Sequence, residues 1–319
     1  MSGTGAELGA RLRSGDLSAA PAVLNLVESE AARDRAEIAE LLRAVGPAAL
    51  GGEAKAHVVG VTGPPGAGKS TLLSELCAHW RAMGRSVAVL AVDPSSKRSG
   101  GSLLGDRARI QFDPTDKGLF IRSTAAGTQL GGLAPATRAA AQALAAAFDV
   151  VVIETVGVGQ SETDIGDVAD SVAVIVQPGS GDSLQFLKSG IMEIPDVLVV
   201  TKADLGDIAL RARRDLSAAL RSAGARDTEV VAVSSISPPQ GIDELIAALD
   251  RHRGTLDVVS RRAAARRAAA IADFVVEHGK QGLRALGGPR AAAKLLADEP
   301  QSADQATLHA ILENRAADA

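Results

Sequence analysis

Apolar positions fall into two textures along the chain. In residues 4–46 they recur at helical spacing (Leu8 and Leu12; Ala20, Val23, Leu24 and Val27; Ile38, Leu41, Leu42 and Val45), with breaks at Gly15 and Pro21 and a close at Gly46-Pro47 and Gly51-Gly52. From residue 57 short β-branched runs alternate with long Ala/Leu-rich stretches: His57–Thr62, Ser86–Val92, Leu119–Ser123, Val150–Glu154, Ser171–Gln177, Val197–Thr201 and Glu229–Ser234. Most of these runs are apolar at nearly every position. A strand of that kind must be buried on both faces, which predicts a mainly parallel sheet flanked by helices. After Gly254 the helical texture returns, through RRAAARRAAAIADFVVEHG and a second Ala/Leu segment from Pro289. These shifts divide the chain into an N-terminal helical segment (1–54), an α/β domain (55–254) and a C-terminal helical arm (255–319).

Composition narrows this picture. Of the 319 residues 46% are hydrophobic but only 2% aromatic, so the core must be built from Ala, Val, Leu and Ile. A net charge of −4 argues against a surface made for nucleic acid. Arg261, Arg262, Arg266 and Arg267 read as the solvated face of an Ala-rich helix. The arm that carries them is too thin to hold a core of its own, and is expected to pack on the α/β domain or on a second copy. The lone cysteine, Cys77, reads as a small buried apolar residue in a reducing compartment. No run of about 18 apolar residues occurs, and the first residues lack the plan of a signal peptide, so the expectation is a cytoplasmic protein without a membrane segment.

The chemistry begins at Gly63-Pro64-Pro65-Gly66-Ala67-Gly68-Lys69-Ser70-Thr71, which fits G-x-x-x-x-G-K-[ST] between an apolar strand and a helix-forming run. Glycines let backbone N–H groups close around phosphates. The following helix N-terminus adds its dipole, Lys69 neutralises β/γ oxygens and the Ser70 hydroxyl is placed for Mg²⁺. Two strands end in acids, Asp93 and Glu154, at the sheet edge where ligands bind. Glu154-Thr155-Val156-Gly157 looks like the D-x-x-G element of G proteins with Glu for Asp: its carboxylate would hold Mg²⁺ through water and the Gly157 N–H would report the γ-phosphate. Thr201-Lys202-Ala203-Asp204 resembles the [NT]-K-x-D element. There Asp204 accepts two hydrogen bonds from guanine while the Lys202 stem packs along the base. Ser234-Ser235, at the end of the last strand, is placed to offer a backbone N–H to the guanine oxygen. The order of these elements predicts a P-loop GTPase using GTP/GDP and Mg²⁺, with GTP preference resting mainly on Asp204 because Thr201 replaces the commoner Asn.

Longer strings carry a resemblance. Val92-Asp93-Pro94-Ser95-Ser96, Ser99–Arg107 (SGGSLLGDR), Gly131-Gly132-Leu133, Glu154–Glu162 (ETVGVGQSE) and Gln177–Asp182 (QPGSGD) are similar to the MeaB/ArgK family of G proteins, which includes the human protein of methylmalonic aciduria type A. The resemblance runs from about residue 10 to the C-terminus. It implies a SIMIBI-class GTPase that works as a homodimer through its C-terminal arm. It also implies a chaperone of adenosylcobalamin-dependent acyl-CoA mutases, usually methylmalonyl-CoA mutase, which gates cofactor delivery from the adenosyltransferase and helps expel damaged cofactor. Hydrolysis would be slow alone and stimulated by the mutase. By position, Lys69 and Ser70 hold phosphate and metal, and Asp93, Asp106 and Glu154 are the candidate Mg²⁺-site carboxylates. Asp182, Gln185 and Lys188 match the polar positions of a switch that touches the mutase.

The chain also departs from that pattern. Arg122–Leu130 lacks the family's Arg-Gly-His-Leu, and Gln185–Lys188 is worded differently, which suggests a divergent branch and leaves the client open between methylmalonyl-CoA mutase and the isobutyryl-CoA, 2-hydroxyisobutyryl-CoA or ethylmalonyl-CoA mutases. No glutamine follows Gly157 to position water and Gln160 is a weak substitute, so a partner is expected to complete hydrolysis. Two rivals share the G-domain plan. A nickel-type metal-insertion GTPase needs clustered Cys/His, whereas His57, His79, His252, His278 and His309 are scattered. A kinase needs an acceptor pocket with a catalytic base, for which the sequence offers no residue. A signal-recognition-particle GTPase would carry a D-T-A-G-R element, which is missing.

Overall fold

The computed structural model describes residues 4–29, 31–93, 110–125, 133–155, 165–179, 195–225 and 227–317. They fall into two compact units: an α/β unit (His57–Ala134 and Phe148–Leu256) and a helical unit (Met1–Ala56, Pro135–Ala147 and Asp257–Ala319).

The α/β unit is built on seven strands, β1 (His57–Thr62), β2 (Val87–Asp93), β3 (Leu119–Ala125), β4 (Val150–Thr155), β5 (Ser171–Val176), β6 (Val197–Val200) and β7 (Glu229–Ala232). They lie in the order β3-β2-β4-β1-β5-β6-β7, and every pairing is parallel. Each apolar run read from the sequence is a strand, to within two residues at either end. Every residue of β1, β4 and β5 is buried, as the absence of alternation requires. Val59 and Val61 of β1 enter one core with Leu72, Leu73, Leu76 and Trp80 of α5 (Lys69–Ala82) and with Leu245, Ile246 and Leu249 of the helix Ile242–Thr255. Each such side chain contributes roughly 1.5–3 kcal/mol by leaving water. On the opposite face a Cβ added to Gly60 would come within 2.8 Å of the Ile165 side chain, so glycine lets that segment lie close against β1.

A polar chain, buried at His57 and Ser171, fastens the N-terminal edge of this sheet. His57 Nε2 shares a 2.9 Å hydrogen bond with Ser171 Oγ, which meets His252 Nδ1 at 2.8 Å, and His252 Nε2 lies 3.1 Å from Asp196. On its other side His57 faces Asp250, which Arg85 grips with two hydrogen bonds of 3.0 and 2.7 Å. His57 and Ser171 open their strands, so this network stands at the end of the sheet away from the P-loop.

The helical unit gathers both helical ends of the chain. In chain order its helices are α1 (Gly5–Arg13), α2 (Ala20–Val27), α3 (Arg35–Ala44), α4 (Pro47–Leu50) and α6 (Pro135–Ala145); with α7 (Asp207–Ser222) and α8 (Ile242–Thr255) belonging to the α/β unit, the series resumes at α9 (Val258–Ala285), α10 (Pro289–Ala297) and α11 (Gln305–Ala317). A capping box starts α1: Thr4 Oγ1 accepts from the Glu7 N–H and the Thr4 N–H donates to the Glu7 carboxylate. Ala270, Phe274, Ala292, Leu296, Leu308 and Leu312 form a separate apolar cluster among α9, α10 and α11. Three of the four arginines of α9 are not a solvated face, contrary to the sequence reading. Arg262 donates to the Ala54 and Ala56 carbonyls, Arg267 to the Glu299 carbonyl, and the buried Arg266 to both Glu53 oxygens and to the carbonyls of Gln301 and Ala303. Periodicity could not show this, because the acceptors are mostly backbone carbonyls distant in sequence. No helix among the described residues is long and apolar enough to cross a membrane.

Candidate functional site

The sheet order reverses at β1: β4 lies on one side and β5, next in the chain, on the other. A crevice at the carboxyl ends of the strands is where ligands bind in such sheets. The segment Gly63–Gly68 leaves β1 at this point and opens α5 at Lys69. Its glycines are required by the backbone. Gly63 has φ 148° and a Cβ there would strike the Ile175 carbonyl at 2.2 Å, while Gly68 caps α5 at φ 93°. The first-turn N–H groups of α5 have no intrahelical acceptor and carry the positive end of the helix dipole, which makes the loop a cradle for anions. Lys69 is buried, and its Nζ donates to the carbonyls of Gly63 at 2.7 Å and Pro64 at 3.1 Å, so the cation is held over the loop that Pro65, Gly66 and Ala67 complete.

The β1–β4 register puts Glu154 opposite Val61, one residue before the end of β1. Its buried carboxylate accepts a 3.2 Å hydrogen bond from Ser70 Oγ, on the second residue of α5. The hydroxyls of Thr62 and Thr155, at the ends of the same two strands, are shielded from solvent and have no hydrogen-bond partner among the described residues. Hard oxygen donors concentrated beside a phosphate cradle fit Mg²⁺, with Ser70 and Glu154 the residues that would hold it. Thr71 follows on the same turn of α5. Burial, reinforced by the Glu154 charge, pushes the Cys77 thiol up to about 12, so it is an inert core group as its position suggested.

The segment Thr201–Asp204 sits beside the loop. Thr201 Oγ1 donates to the Ala67 carbonyl at 2.7 Å and lies 3.2 Å from the Val176 carbonyl, which ties this segment to the phosphate loop. Lys202 has φ 53°, the one positive value at a non-glycine residue among the described residues, a conformation that costs about 1 kcal/mol or more and is typical of functional sites. Its Nζ donates to Gln177 Oε1 at 2.7 Å. The exposed Asp204 receives the Ser234 hydroxyl on Oδ1 at 2.7 Å, leaving Oδ2 outside the described hydrogen bonds. The Ser234 backbone N–H is taken by the Gln240 carbonyl, so Ser235 is the member of the pair whose amide remains to be offered. Sequence reasoning did not give Gln177 or Ser234 these orienting parts. Their signal was position: each stands just past the end of a strand neighbouring β6.

Not every expected residue can be placed. Asp93 ends β2 opposite Ala125 of β3, and its side chain is outside what is described. Asp106, Gly157 and the trio Asp182, Gln185 and Lys188 lie outside the described residues, as does Gln160.

An all-parallel sheet with this loop at its switch point defines a P-loop NTPase. Comparison with known proteins gives the family. Residues 20–283 match the family model described as "Methylmalonyl Co-A mutase-associated GTPase MeaB", and the chain belongs to that family of GTPases. It is 48% identical over 199 residues to a Pyrococcus horikoshii protein named as a GTPase, a match covering 62% of this chain and 60% of that one. It is 39% identical over 213 residues to the Caenorhabditis elegans "Methylmalonic aciduria type A homolog, mitochondrial", covering 63% of this chain and 52% of that one. The chain thus spans under two thirds of the length of these two relatives. Among solved structures, that titled "Crystal structure of LAO/AO transport system kinase" superposes with a TM-score of 0.63 at 29% identity, covering 92% of this chain and 87% of that one.

Proposed function

We propose that this protein is a GTP-dependent chaperone of an adenosylcobalamin-dependent acyl-CoA mutase, methylmalonyl-CoA mutase or a close relative. The observation that carries this reading is the family match across residues 20–283, supported by the buried Lys69 over the Gly63–Gly68 loop and the Ser70–Glu154 hydrogen bond beside it. In the proposed cycle GTP binds with its phosphates on the Gly63–Gly68 amides and the first turn of α5. Lys69 exchanges the Gly63 and Pro64 carbonyls for β/γ oxygens. Ser70 donates to Glu154 and so keeps oxygen lone pairs for Mg²⁺, which supplies charge neutralisation at the phosphates when bound. Asp204, oriented by Ser234, reads guanine. Catalysis of water attack would be mostly electrostatic, slow in the isolated protein and completed by the mutase. Asp93, Asp106 and Gly157 are assigned to the metal and γ-phosphate side, and Asp182, Gln185 and Lys188 to the mutase-facing switch. The working form is a cytoplasmic homodimer joined through the C-terminal helices, receiving cofactor from a cobalamin adenosyltransferase and touching neither nucleic acid nor membrane.

The test is co-elution of the purified protein with each candidate mutase in the presence of GDP or of a non-hydrolysable GTP analogue. A nucleotide-dependent complex with one mutase is expected, and no complex with any mutase in either state contradicts the chaperone reading. A kinase reading would be revived by labelled γ-phosphate appearing covalently on a protein or amino acid.

A further inference from the structure

The sequence scatters its histidines, but the helical unit brings two of them together. Glu277 and His278 lie near the end of the first straight part of α9, which leaves helical geometry at Gly279 (φ 64°, ψ −171°). His309 and Glu313 lie one turn apart on the same face of α11. The Glu277 carboxylate stands 3.7 Å from His309 Nε2, one Glu313 oxygen 3.7 Å from His309 Nδ1, and the other Glu313 oxygen 3.6 Å from His278 Nε2. One ligand atom from each of Glu277, His309 and Glu313 lies within 4.8 Å of the others.

These separations are too long for hydrogen bonds. Glu277 stands by Nε2 and Glu313 by Nδ1, opposite nitrogens of one ring, so an ion on either nitrogen has one carboxylate at hand and draws the other in by rotation from within 4.8 Å, toward the roughly 3.4 Å spacing of donors about 2.0–2.2 Å from a shared ion. Nε2 of His309 is shielded from solvent and has no hydrogen-bond partner among the described residues, an arrangement that a Lewis acid would satisfy. The imidazoles are held by Phe274, whose buried ring centroid lies 4.5 Å from that of His278 and 6.2 Å from that of His309. Arg35 stands 3.8 Å from the other oxygen of Glu277, leaving Oε2 toward His309. Glu277 and Glu313 are 34% and 46% exposed, so an ion can enter from solvent and the carboxylates can rotate to close on it.

We infer that Glu277, His309 and Glu313 form a binding site for a borderline transition-metal dication of the Zn²⁺ class, with His278 as a positioning residue for Glu313 and water in the fourth position. Imidazole with two carboxylates selects this class over Mg²⁺, which prefers an all-oxygen octahedron. The site is separate from the phosphate loop and its expected consequence is to pin α11 to α9, because metal bound only by the folded state stabilises that state.

The full-length protein, stripped with chelator and freed of nucleotide and Mg²⁺, would be titrated with Zn²⁺ by calorimetry and, in parallel, with Co²⁺ by visible spectroscopy. The expected result is one Zn²⁺ per chain, a rise in melting temperature, and the d–d absorption of four-coordinate Co²⁺. Affinity should fall at least tenfold in His309→Ala and in Glu313→Gln, while Ser70→Ala, which removes the phosphate-loop metal ligand, should leave it unchanged. If His309→Ala does not fold, Glu313→Gln and Glu277→Gln decide the matter, since both side chains are partly exposed. Absence of saturable Zn²⁺ binding, or binding of equal affinity in the folded carboxylate variants, would overturn the assignment.

Discussion

Thr201 and Ala67 are 134 positions apart in the chain, yet the Thr201 hydroxyl donates to the Ala67 carbonyl at 2.7 Å and so joins the loop after β6 to the phosphate loop. Thr201→Val keeps the shape and removes the bond, at a cost of about 1 kcal/mol, or roughly fivefold in GDP and GTP affinity. Thr201→Ser should retain most of the binding. Equal affinities for all three proteins in a fluorescent-nucleotide titration would show that the tether is idle.

Guanine selectivity is expected to rest on Asp204 and its orienting hydroxyl. Asp204→Asn turns an acceptor into a donor facing the guanine N–H groups, so GTP binding should weaken roughly 100-fold while xanthosine triphosphate binding improves. Ser234→Ala leaves the carboxylate in place but lets it rotate, and a smaller loss of about two- to tenfold is expected. Calorimetry with both nucleotides checks this, and unaltered GTP affinity in Asp204→Asn contradicts the role.

Stability of the helical unit should depend on the buried pair Arg266–Glu53, whose side chains are only 9% and 11% exposed. Glu53→Ala strands a buried guanidinium and should cost about 3–5 kcal/mol, read as a shifted urea midpoint. Replacing both residues with apolar side chains of similar volume should cost less than the single change. A double variant no more stable than Glu53→Ala would argue that the other bonds of Arg266 dominate.

His57 makes stability sensitive to acid. Burial, with a smaller contribution from Arg253, holds its imidazole below the usual value of about 6.5, against the opposing pull of Asp250 and Asp170. The unfolded chain therefore binds the proton more readily than the folded one, and stability must fall as pH drops through about 6.5. The Asp250 carboxylate, depressed chiefly by His57 and then by Arg85, adds a second loss in the same direction once pH falls into the ordinary carboxylate range near 4. Denaturation between pH 7 and pH 5 should show a decline in the natural protein that is reduced in His57→Gln, and parallel declines would assign the effect elsewhere.

The strands and the phosphate loop were legible because each carries its own local signature: unbroken β-branched runs, and glycines whose positive φ or lack of a Cβ the turn requires. The place of Glu154 at the carboxyl edge of the sheet was foreshadowed by an acid closing an apolar strand, while its register against Val61 was not. What remained hidden depends on contacts distant in sequence. Ser234 reaches Asp204 across 30 positions, and Arg266 finds Glu53 across 213. His278 and His309 meet only because α9 and α11 pack together. Helical periodicity marks the face of a helix but says nothing of which distant carbonyl or carboxylate that face will meet.

The most direct measurement of the central claim is GTP hydrolysis by the purified protein, alone and with each candidate adenosylcobalamin-dependent acyl-CoA mutase, with ATP as a parallel control and Lys69→Ala as the blank. The account predicts slow GTP turnover alone, well below about 1 s⁻¹ as in partner-dependent GTPases, acceleration by one mutase, little use of ATP and no turnover in the variant. Fast turnover by the isolated protein, or a GTP rate untouched by every mutase, would contradict it.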